Sequence, residues 1–483
     1  TRAPEEVADL REFADRMRNK LGSGVVALGA EKNGKALLLV ALTKDLVKEG
    51  LKAGDFVREM AKEIGGRGGG KPDLAQAGGP DPAGLDRALE KNYDLVAAGR
   101  SAMSRVLREM HGPLLVVRPP VPATVNKAGV NYKSEVEHLE YSPRGAYDEW
   151  LAICEGILAF GGDAIFDFEP EDEPFLDAGD LRLEADGTVR GEDGRALGTM
   201  DEISTGRVFT ANGPWVILED GGIRALLPNL VQHRQDEENY YRRLLDRIAT
   251  EGGYRLHVEK NPHPWEGMAD VAAVGDRVVL TYTVRGHYDE KTSPKTMRST
   301  REGVAYAADF AGVPEEARIY AELVYPHFHG DTLQFSARPA DGSAPRLVHY
   351  AGGLWGDGHE RVKAALGADA IVPISRDDAV EQYAGNSRQV EGGVLVPHGV
   401  SPSFTDSLEA LGLSTHRIAL YELFGKAGGG PACATLYLPQ GLELPEDSPL
   451  RYSVRREEAR KRRERLAERL IVDPGYFAGK PRG

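Results

Sequence analysis

Apolar positions along the chain follow first a helical and then a strand-like rhythm. Over residues 5–20, EEVADLREFADRMRNK spaces Val7, Leu10, Phe13 and Met17 three or four apart, a stripe that predicts an amphipathic helix. GVVALGA (24–30) and ALLLVALT (36–43) are short apolar runs flanking the turn-rich EKNGK, so two neighbouring or hairpin-paired strands are expected. A helix over about 44–64 closes this set. The rhythm breaks in GGRGGGKPDLAQAGGPDPAG (65–84), whose glycines supply backbone freedom or close approach rather than packing. Helical spacing returns over 85–110, and a domain boundary is expected near residue 111. Beyond it, LLVVRPP (114–120), VFTA (208–211), WVILE (215–219), RVVLTYTV (277–284) and GVLVP (393–397) alternate with helical stretches, which predicts an α/β domain. YSVRREEARKRRERLAER (452–469) reads as a charged helix or tail, either a solvated helix of paired charges or a contact for nucleic acid or a partner.

A chain of 483 residues, 41% of them hydrophobic, is long enough for two or more cores. The expected division is a small domain over 1–84, a helical linker over 85–111, a larger domain over 112–445 and a charged tail over 446–483. No stretch approaches 18 uninterrupted apolar residues and TRAPEEVADL lacks the regions of a signal peptide, so no membrane association and a cytoplasmic location are expected. Residue 1 is Thr rather than an initiator Met, which suits an excerpt or a processed product. The net charge of -15 argues against a broad nucleic-acid-coating surface and leaves room for a local basic stripe. Two cysteines, Cys154 and Cys433, are too few for a disulfide framework or a Cys-rich zinc site. Cys154 stands at helical spacing in LAICEGILAFGG and reads as a core residue, whereas Cys433 follows three glycines and a proline in KAGGGPACATLYLP.

Residues 10–79, from LREFADRMRNK through KDLVKEGLKAGDFV to GGRGGGKPDLAQAGG, resemble the carboxy-terminal (DHHA1-type) domain of alanyl-tRNA synthetases. The resemblance implies a small α/β module that helps to hold the elbow of tRNA and can mediate self-association, hence a homo-oligomer. The glycine amides, with Arg67, Gly68, Gly69 and Lys71, are the expected RNA contacts, since backbone N–H groups and cationic side chains suit phosphate. The alternative is a structural turn packed on its own sheet. The aminoacylation and editing parts of the synthetases are missing from this sequence, so it is not expected to aminoacylate or edit by itself.

A second resemblance covers roughly 114–440. GGGPxC around Cys433 is similar to the nucleophile motif of arginine deiminases and their relatives, the pentein or guanidino-group-modifying superfamily. Four further blocks stand in that family's order: VFTANGPWVI (208–217) with the helix after it, WEGMADVAAVGDRVVLTYTVR (265–285), FHGDTLQF (328–335) and AGNSRQVEGGVLVP (384–397). Met268 and Ala269 stand where glycines are common, and Gly330 fills the middle of the H-x-D block. The resemblance implies an α/β fold of five ββαβ units, a five-bladed pentein propeller, around a central site. It also implies chemistry on arginine or a related guanidino compound, by amidino transfer or by hydrolysis of the deiminase or dihydrolase kind, with the blocks WEGMAD and FTAN leaning toward transferase and dihydrolase types. The alternative is a catalytically idle pentein domain beside a tRNA-binding or assembly module.

The chemistry explains the residue types. A guanidinium is a planar, delocalised cation that resists attack unless carboxylates hold it before a strong nucleophile. Asp270 and Asp331 are the expected clamp, with Glu266 contributing to it or orienting it. His329 is the expected acid and base, and Cys433 attacks as thiolate, helped by a cationic substrate or a charged imidazole. Asn212, Arg285, Asn386 and Arg388 are the expected substrate contacts, the two arginines as holders of a carboxylate or, alternatively, as surface salt bridges. His263 and Trp265 are expected to shape the pocket mouth. His327 and His329 in HFH would suit a metal only with further ligands, so no metal and no cofactor are expected.

Overall fold

The structure, a computed structural model, describes residues 10–21, 24–48, 52–92, 107, 110–120, 140–199, 208–219, 221–231, 234–284, 298–419, 421–423, 425–426 and 428–476. They divide into two compact units, residues 1–107 with 308–318, and residues 108–307 with 319–483.

In the first unit, strands Val25–Lys32 and Lys35–Leu42 form the expected hairpin, with Val25 opposite Leu42. Lys35–Leu42 also pairs with Leu74–Gly79, and that strand with Arg67–Gly70, giving a four-stranded sheet. Ala36, Leu38, Val40 and Leu42 pack with Phe56, Val57 and Met60 of helix Ala53–Lys62, while Leu39 and Ala41 pack with Ala14 of helix Leu10–Lys20. Both faces of the central strand are therefore covered, which is why ALLLVALT is continuously apolar instead of alternating. Two expectations change here. The single helix over 44–64 is two, Lys44–Lys48 and Ala53–Lys62, because Lys52 is extended at φ -126°, ψ 120°. The glycine run, where the apolar rhythm breaks, is an edge strand, Arg67–Gly70, rather than a turn. Residues 85–92 are helical, and residues 93–106 of the expected linker lie outside the described residues.

In the second unit, residues 114–437 repeat one motif five times. Each motif is a three-stranded sheet with a helix between its second and third strands. The second to fifth are Trp215–Glu219, Gly222–Leu227 and Arg255–Lys260 with helix Glu237–Gly252; Val271–Val274, Arg277–Tyr282 and Arg318–Glu322 with Arg301–Phe310; Gln334–Ala337, Arg346–His349 and Ile371–Pro373 with Gly358–Leu366; and Arg388–Val390, Gly393–Pro397 and Ser414–Ile418 with Pro402–Glu409. The first joins the two ends of the unit: Leu436–Tyr437 pairs antiparallel with Leu114–Val116, which pairs parallel with Asp163–Ile165 across helix Pro143–Ala159. The first two strands of each repeat run antiparallel. A parallel third strand needs a crossover connection, and the helix supplies it. VFTA is not a strand: Thr210–Asn212 is a 3-10 turn leading into the second repeat.

The expected tail is part of this unit. Leu470–Val472 lies between Leu181–Leu183 and Glu140–Tyr141 in a five-stranded sheet. Helix Tyr452–Glu464 and the residues after it aim arginines at acids of the same unit: Arg455 at Glu458, Arg460 at Glu155, Arg463 at Asp148 and Arg469 at Asp180, at 2.7, 3.1, 2.7 and 2.9 Å. No helix among the described residues is long and apolar enough to cross a membrane.

Candidate active site

The residues singled out in the sequence stand at equivalent places in successive repeats, in the few residues before each first strand. Asn212 precedes Trp215–Glu219, Glu266 and Asp270 precede Val271–Val274, and His329 and Asp331 precede Gln334–Ala337. Asn386 precedes Arg388–Val390, and Cys433 precedes Leu436–Tyr437. Four of the approaches are short 3-10 turns: Thr210–Asn212, Gly267–Asp270, Gly330–Thr332 and Ala384–Asn386. Such a turn ends the previous element and presents a side chain just ahead of a strand edge. Gly330 is required by its surroundings, since a Cβ there would meet Thr281 Oγ1 at 2.4 Å, and its amide donates to Asp270 Oδ1 at 2.9 Å.

One side of the cluster is built around the thiol. Cys433 Sγ lies 3.5 Å from Asp331 Oδ2 and accepts from Asn386 Nδ2 at 3.0 Å. The same Nδ2 donates to the Asp331 carbonyl at 2.9 Å, while Asn386 Oδ1 accepts from the amides of Gly430 and Cys433 at 2.9 and 3.0 Å. Asn386 thus bonds to the nucleophile loop from both ends of its amide. Arg388 donates through Nε to Thr435 Oγ1 and through Nη2 to the carbonyls of Ala432 and Thr435, and its guanidinium lies over the Tyr437 ring. These bonds tie it to the same loop. Arg285 lies outside the described residues.

The other side is a charged network. His329 Nε2 is 3.1 Å from Glu266 Oε2 and 3.5 Å from Asn212 Nδ2. Arg298 donates to Glu266 Oε2 at 3.2 Å, and the Val231 amide donates to Oε1 at 2.9 Å. Asn212 donates to the Glu266 carbonyl at 2.8 Å and accepts from Arg234 Nη1 at 2.6 Å, and Arg234 is clamped by Glu237 at 2.6 and 2.7 Å. Asp270 accepts from Thr281, Ser299 and the Gly330 amide, so both its oxygens are taken. The paired clamp expected of Asp270 and Asp331 therefore separates: Asp270 fastens three neighbouring segments, and Asp331 alone has a buried oxygen, Oδ1, with no hydrogen-bond partner among the described residues.

Burial and charge set the protonation states. Burial pushes the Cys433 thiol well above the ordinary range and the Asp331 charge adds to it, against the pull of Asn386. Burial pushes the Asp331 carboxyl up to about 6, opposed by His329 and Arg388. Asp270 is raised by burial despite His329 and its hydrogen bonds. Burial would raise Glu266 too, but Arg298, His329 and Arg234 outweigh it and hold this carboxylate well below the ordinary range. The site therefore pairs a carboxylate whose charged form is favoured, beside the imidazole, with a thiol and a carboxyl whose protonated forms are favoured by burial.

Arg234, Glu237, Arg298, Ser299 and Thr281 were not singled out in the sequence. The Arg–Glu spacing of three in HRQDE is a signal for the first pair. Arg298 and Ser299 carry none, because the residues they serve lie about thirty positions upstream. A cavity of about 40 Å³, lined among others by Asp331, Ser336, Arg388, Gln389, Ala432 and Tyr437, adjoins the nucleophile loop. Trp265 is buried and His263 is exposed with its ring edge-on to Tyr306. His327 is buried with Nδ1 3.0 Å from Thr332 Oγ1, and among the described residues no group of three or more His, Cys, Asp and Glu side chains is placed to hold a metal. Cys154 is a buried core residue. In the first unit Arg67, Gly69 and Lys71 are exposed and Gly68 is half-buried.

Residues 5–98 match the family model described as the DHHA1 domain. The chain is 67% identical over 88 residues to the alanine–tRNA ligase of Anaeromyxobacter dehalogenans (strain 2CP-C), and 61% identical over 87 residues to that of Myxococcus xanthus (strain DK1622). Each match covers 18% of this chain and 10% of the ligase, so the chain spans about a tenth of the length of these curated relatives. The first 90 or so residues are thus similar to the carboxy-terminal part of alanyl-tRNA synthetases. Among solved structures, the C-Ala domain of Aquifex aeolicus alanyl-tRNA synthetase is 32% identical with a TM-score of 0.17, covering 18% of this chain and 78% of that one. The substrate-bound amino-terminal domain of ArgZ, an arginine dihydrolase from the ornithine–ammonia cycle in cyanobacteria, is 19% identical with a TM-score of 0.49, covering 68% of this chain and 98% of that one. AgrE in complex with ornithine and NAD+ is 20% identical with a TM-score of 0.47, covering 70% of this chain and 40% of that one.

Proposed function

We propose that the second unit is a guanidino-group-modifying enzyme that acts on arginine or a related guanidino compound through a covalent amidino intermediate on Cys433. The observation that carries this reading is the pairing of the buried Cys433 thiol with the buried Asp331 carboxyl, one oxygen of which has no partner. Neither group gains by ionising alone in that setting. A planar cation placed against Asp331 stabilises the carboxylate and the thiolate together, so the substrate itself supplies the charge that activates the nucleophile. A neutral or anionic ligand offers nothing comparable.

In this reading the Cys433 proton passes to His329 and the Asp331 proton to solvent as the substrate binds, and Sγ then attacks the guanidinium carbon while Asp331 holds an N–H edge of the group. The bond from that carbon to the leaving nitrogen breaks as His329, oriented by Glu266, gives the nitrogen a proton. His329 then takes a proton from the water or acceptor amine that releases the intermediate, and Sγ leaves as thiolate. Asn212, Asn386 and Arg388 position the cluster, and Asp270 fastens the turn that carries His329. The five repeats are read as the blades of a pentein propeller, which the shared sheet of Leu436–Tyr437 and Leu114–Val116 would close. The chemistry needs no metal or redox cofactor.

For the first unit, the identity to alanyl-tRNA synthetases favours a handle for tRNA, or for a second copy of the chain, with Arg67, Gly68, Gly69 and Lys71 toward phosphate. Retention of tRNA that weakens with salt and is lost on replacing Arg67 and Lys71 together supports it, and no retention at low salt removes it.

The enzyme reading is tested by mass spectrometry of intact protein and products after incubation with arginine, agmatine and related guanidines, with and without glycine or ornithine. A citrulline-type, ornithine-type or amidino-transfer product that disappears in Cys433→Ala is expected, and its dependence on added amine separates transfer from hydrolysis. No product and no adduct on Cys433 with any guanidine would leave the chain as a tRNA-binding or assembly module with an idle second domain.

A further inference from the structure

Helix Pro143–Ala159 buries a carboxylate that the chemistry above does not use. Glu149 is 8% exposed, in mid-helix, on a face otherwise occupied by Tyr147, Trp150 and Ile153 of the core. Burial pushes its carboxyl up to about 7 despite the donors it meets, so the charge stands there at a cost. Those donors are three consecutive backbone amides of one distant segment. Oε1 accepts from Tyr421 and, at 2.7 Å, from Glu422, while Oε2 accepts from Leu423 at 2.7 Å. The next carboxylate in that segment is fastened to the start of the same helix: Glu422 Oε2 accepts from the Ser142 amide at 3.1 Å, and its Oε1 meets Lys426 at 2.8 Å.

The segment held in this way is the near end of the glycine-rich stretch that carries the nucleophile. Leu423, whose amide is bound by Glu149, accepts through its own carbonyl from the Gly429 amide at 3.3 Å. Gly430 follows and donates to Asn386 Oδ1, which also receives the Cys433 amide, while Asn386 Nδ2 donates to Cys433 Sγ. A continuous path of hydrogen bonds and single residues thus joins Glu149 to the thiol. Gly425, Gly428, Gly429 and Gly430 have no side chains of their own to anchor them, so their placement rests on the groups that grip the stretch. Asn386 grips the far end from the fifth repeat, and Glu149 grips the near end from the helix of the first.

We propose that Glu149 is a positioning residue for catalysis, which sets the height and angle of Cys433 by fixing Tyr421–Leu423 across the junction of the first and fifth repeats. This rests on the reading of Cys433 as the nucleophile. The role belongs to an acceptor that uses both of its oxygens. A glutamine keeps the shape and one acceptor but turns an N–H2 group toward the amide it replaces, and the Leu423 branch, which leads to Gly429, is the one that two shared donors on a single oxygen leave unserved.

The test uses the full chain as wild type, Glu149→Gln and Glu149→Ala, with two readouts. The first is turnover of a guanidino substrate, resolved into kcat and KM. The second is the alkylation rate of Cys433 by iodoacetamide, followed on its own peptide, with buried Cys154 as the internal control for unfolding. The expected result for Glu149→Gln is a kcat lower by about tenfold or more with KM changed far less, as for a displaced reacting group. Cys433 alkylation should change severalfold while Cys154 stays unreacted. Glu149→Ala should go further in the same direction. An unchanged alkylation rate and kcat in both variants overturns the proposal, as does a loss of activity that appears only together with Cys154 labelling, which marks a merely structural role. If the wild type turns over no guanidine, the enzyme reading fails while the alkylation arm still decides whether Glu149 places the thiol.

Discussion

The two compact units differ in the burial of some of their ion pairs. In the first, ion pairs lie on the outside: Arg58 with Asp55, Lys62 with Glu59 and Arg87 with Glu63 join side chains that are 30 to 64% exposed, and the two clusters that cover the sheet are apolar. In the second, Arg234 with Glu237 and Arg298 with Glu266 are 1 to 5% exposed and stand in the middle of the candidate site. Taking both members of a pair out of water costs several kcal/mol per ion, and their attraction offsets this only with full hydrogen bonding. A chain that accepts this twice within one cluster is using the charges to hold something. Here they hold Asn212 and His329. The exposed pairs of the first unit, worth little to stability, identify no site.

The strongest attack on this contrast is Arg298→Met. It leaves Glu266 buried with its main cation gone, and breaking a buried pair from one side costs about 3–5 kcal/mol. All four tryptophans, Trp150, Trp215, Trp265 and Trp355, belong to the second unit, so urea unfolding followed by tryptophan fluorescence reads the loss there alone. A cost below about 1 kcal/mol, the range of a surface pair, would mean that the two units do not differ as argued.

A somewhat smaller effect comes from pH. The Asp331 carboxyl, at about 6 against an ordinary 3.8, binds its proton more tightly in the folded chain than in the unfolded one. Its contribution to stability is therefore full below about pH 4 and is lost as pH rises through 6, about 2–3 kcal/mol in all. Glu266 works in the opposite sense and below that window, since its carboxylate is held below the ordinary range. Asp331→Asn should thus gain stability relative to wild type between pH 4 and pH 7 in the same fluorescence assay. An unchanged difference between the two proteins across that window would show that Asp331 is not held protonated.

The third test sharpens the contrast from the side of the first unit, where backbone approach replaces charge as the constraint. A Cβ on Gly68 would meet the Ala77 Cβ at 2.4 Å, whereas one on Gly69 would meet nothing within 4 Å. Gly68→Ala should cost about 1–3 kcal/mol by overpacking, and Gly69→Ala should be close to neutral. Hydrogen exchange of the amides in Leu74–Gly79 distinguishes them: protection falls in the first variant and stays in the second. Equal losses would mean that the strand needs glycine for its backbone conformation instead.

What was legible in the sequence follows the same division. The hairpin and the apolar central strand of the first unit were readable because pattern and burial coincide along a continuous stretch. For GGRGGG a need for backbone freedom or close approach was readable but its partner was not, since Gly68 lies against Ala77 on the next strand and such a neighbour is invisible in a local window. In the second unit, the blocks around Asn212, Glu266, His329, Asn386 and Cys433 were readable as short strings, and the structure brings them together at the starts of successive strands. Their order did not reveal which protein groups they hold: Asp270, Asn386 and Arg388 bond to Ser299, Gly430 and Ala432, and those partners lie up to 44 residues away. Arg298 and Glu149 left no trace at all, because a lone charged residue in a sequence looks the same whether it ends in water or in a core.

The smallest expected effect completes the contrast. Lys62 Nζ lies 2.7 Å from Glu59 on helix Ala53–Lys62, with side chains 64% and 42% exposed, a contact nearly as short as the Arg234–Glu237 pair at 2.6 Å. By distance alone it would rank with Arg234 and Glu237. Water on both side chains screens the attraction, and holding two long side chains in one geometry costs entropy that the pair must offset. Lys62→Met should therefore leave hydrogen-exchange protection of Lys35–Leu42 unchanged at low and at high salt. A loss of protection that grows as salt is removed would show that an exposed pair in the first unit does the work that only buried pairs do in the second, and distance would then be a better guide to function than burial.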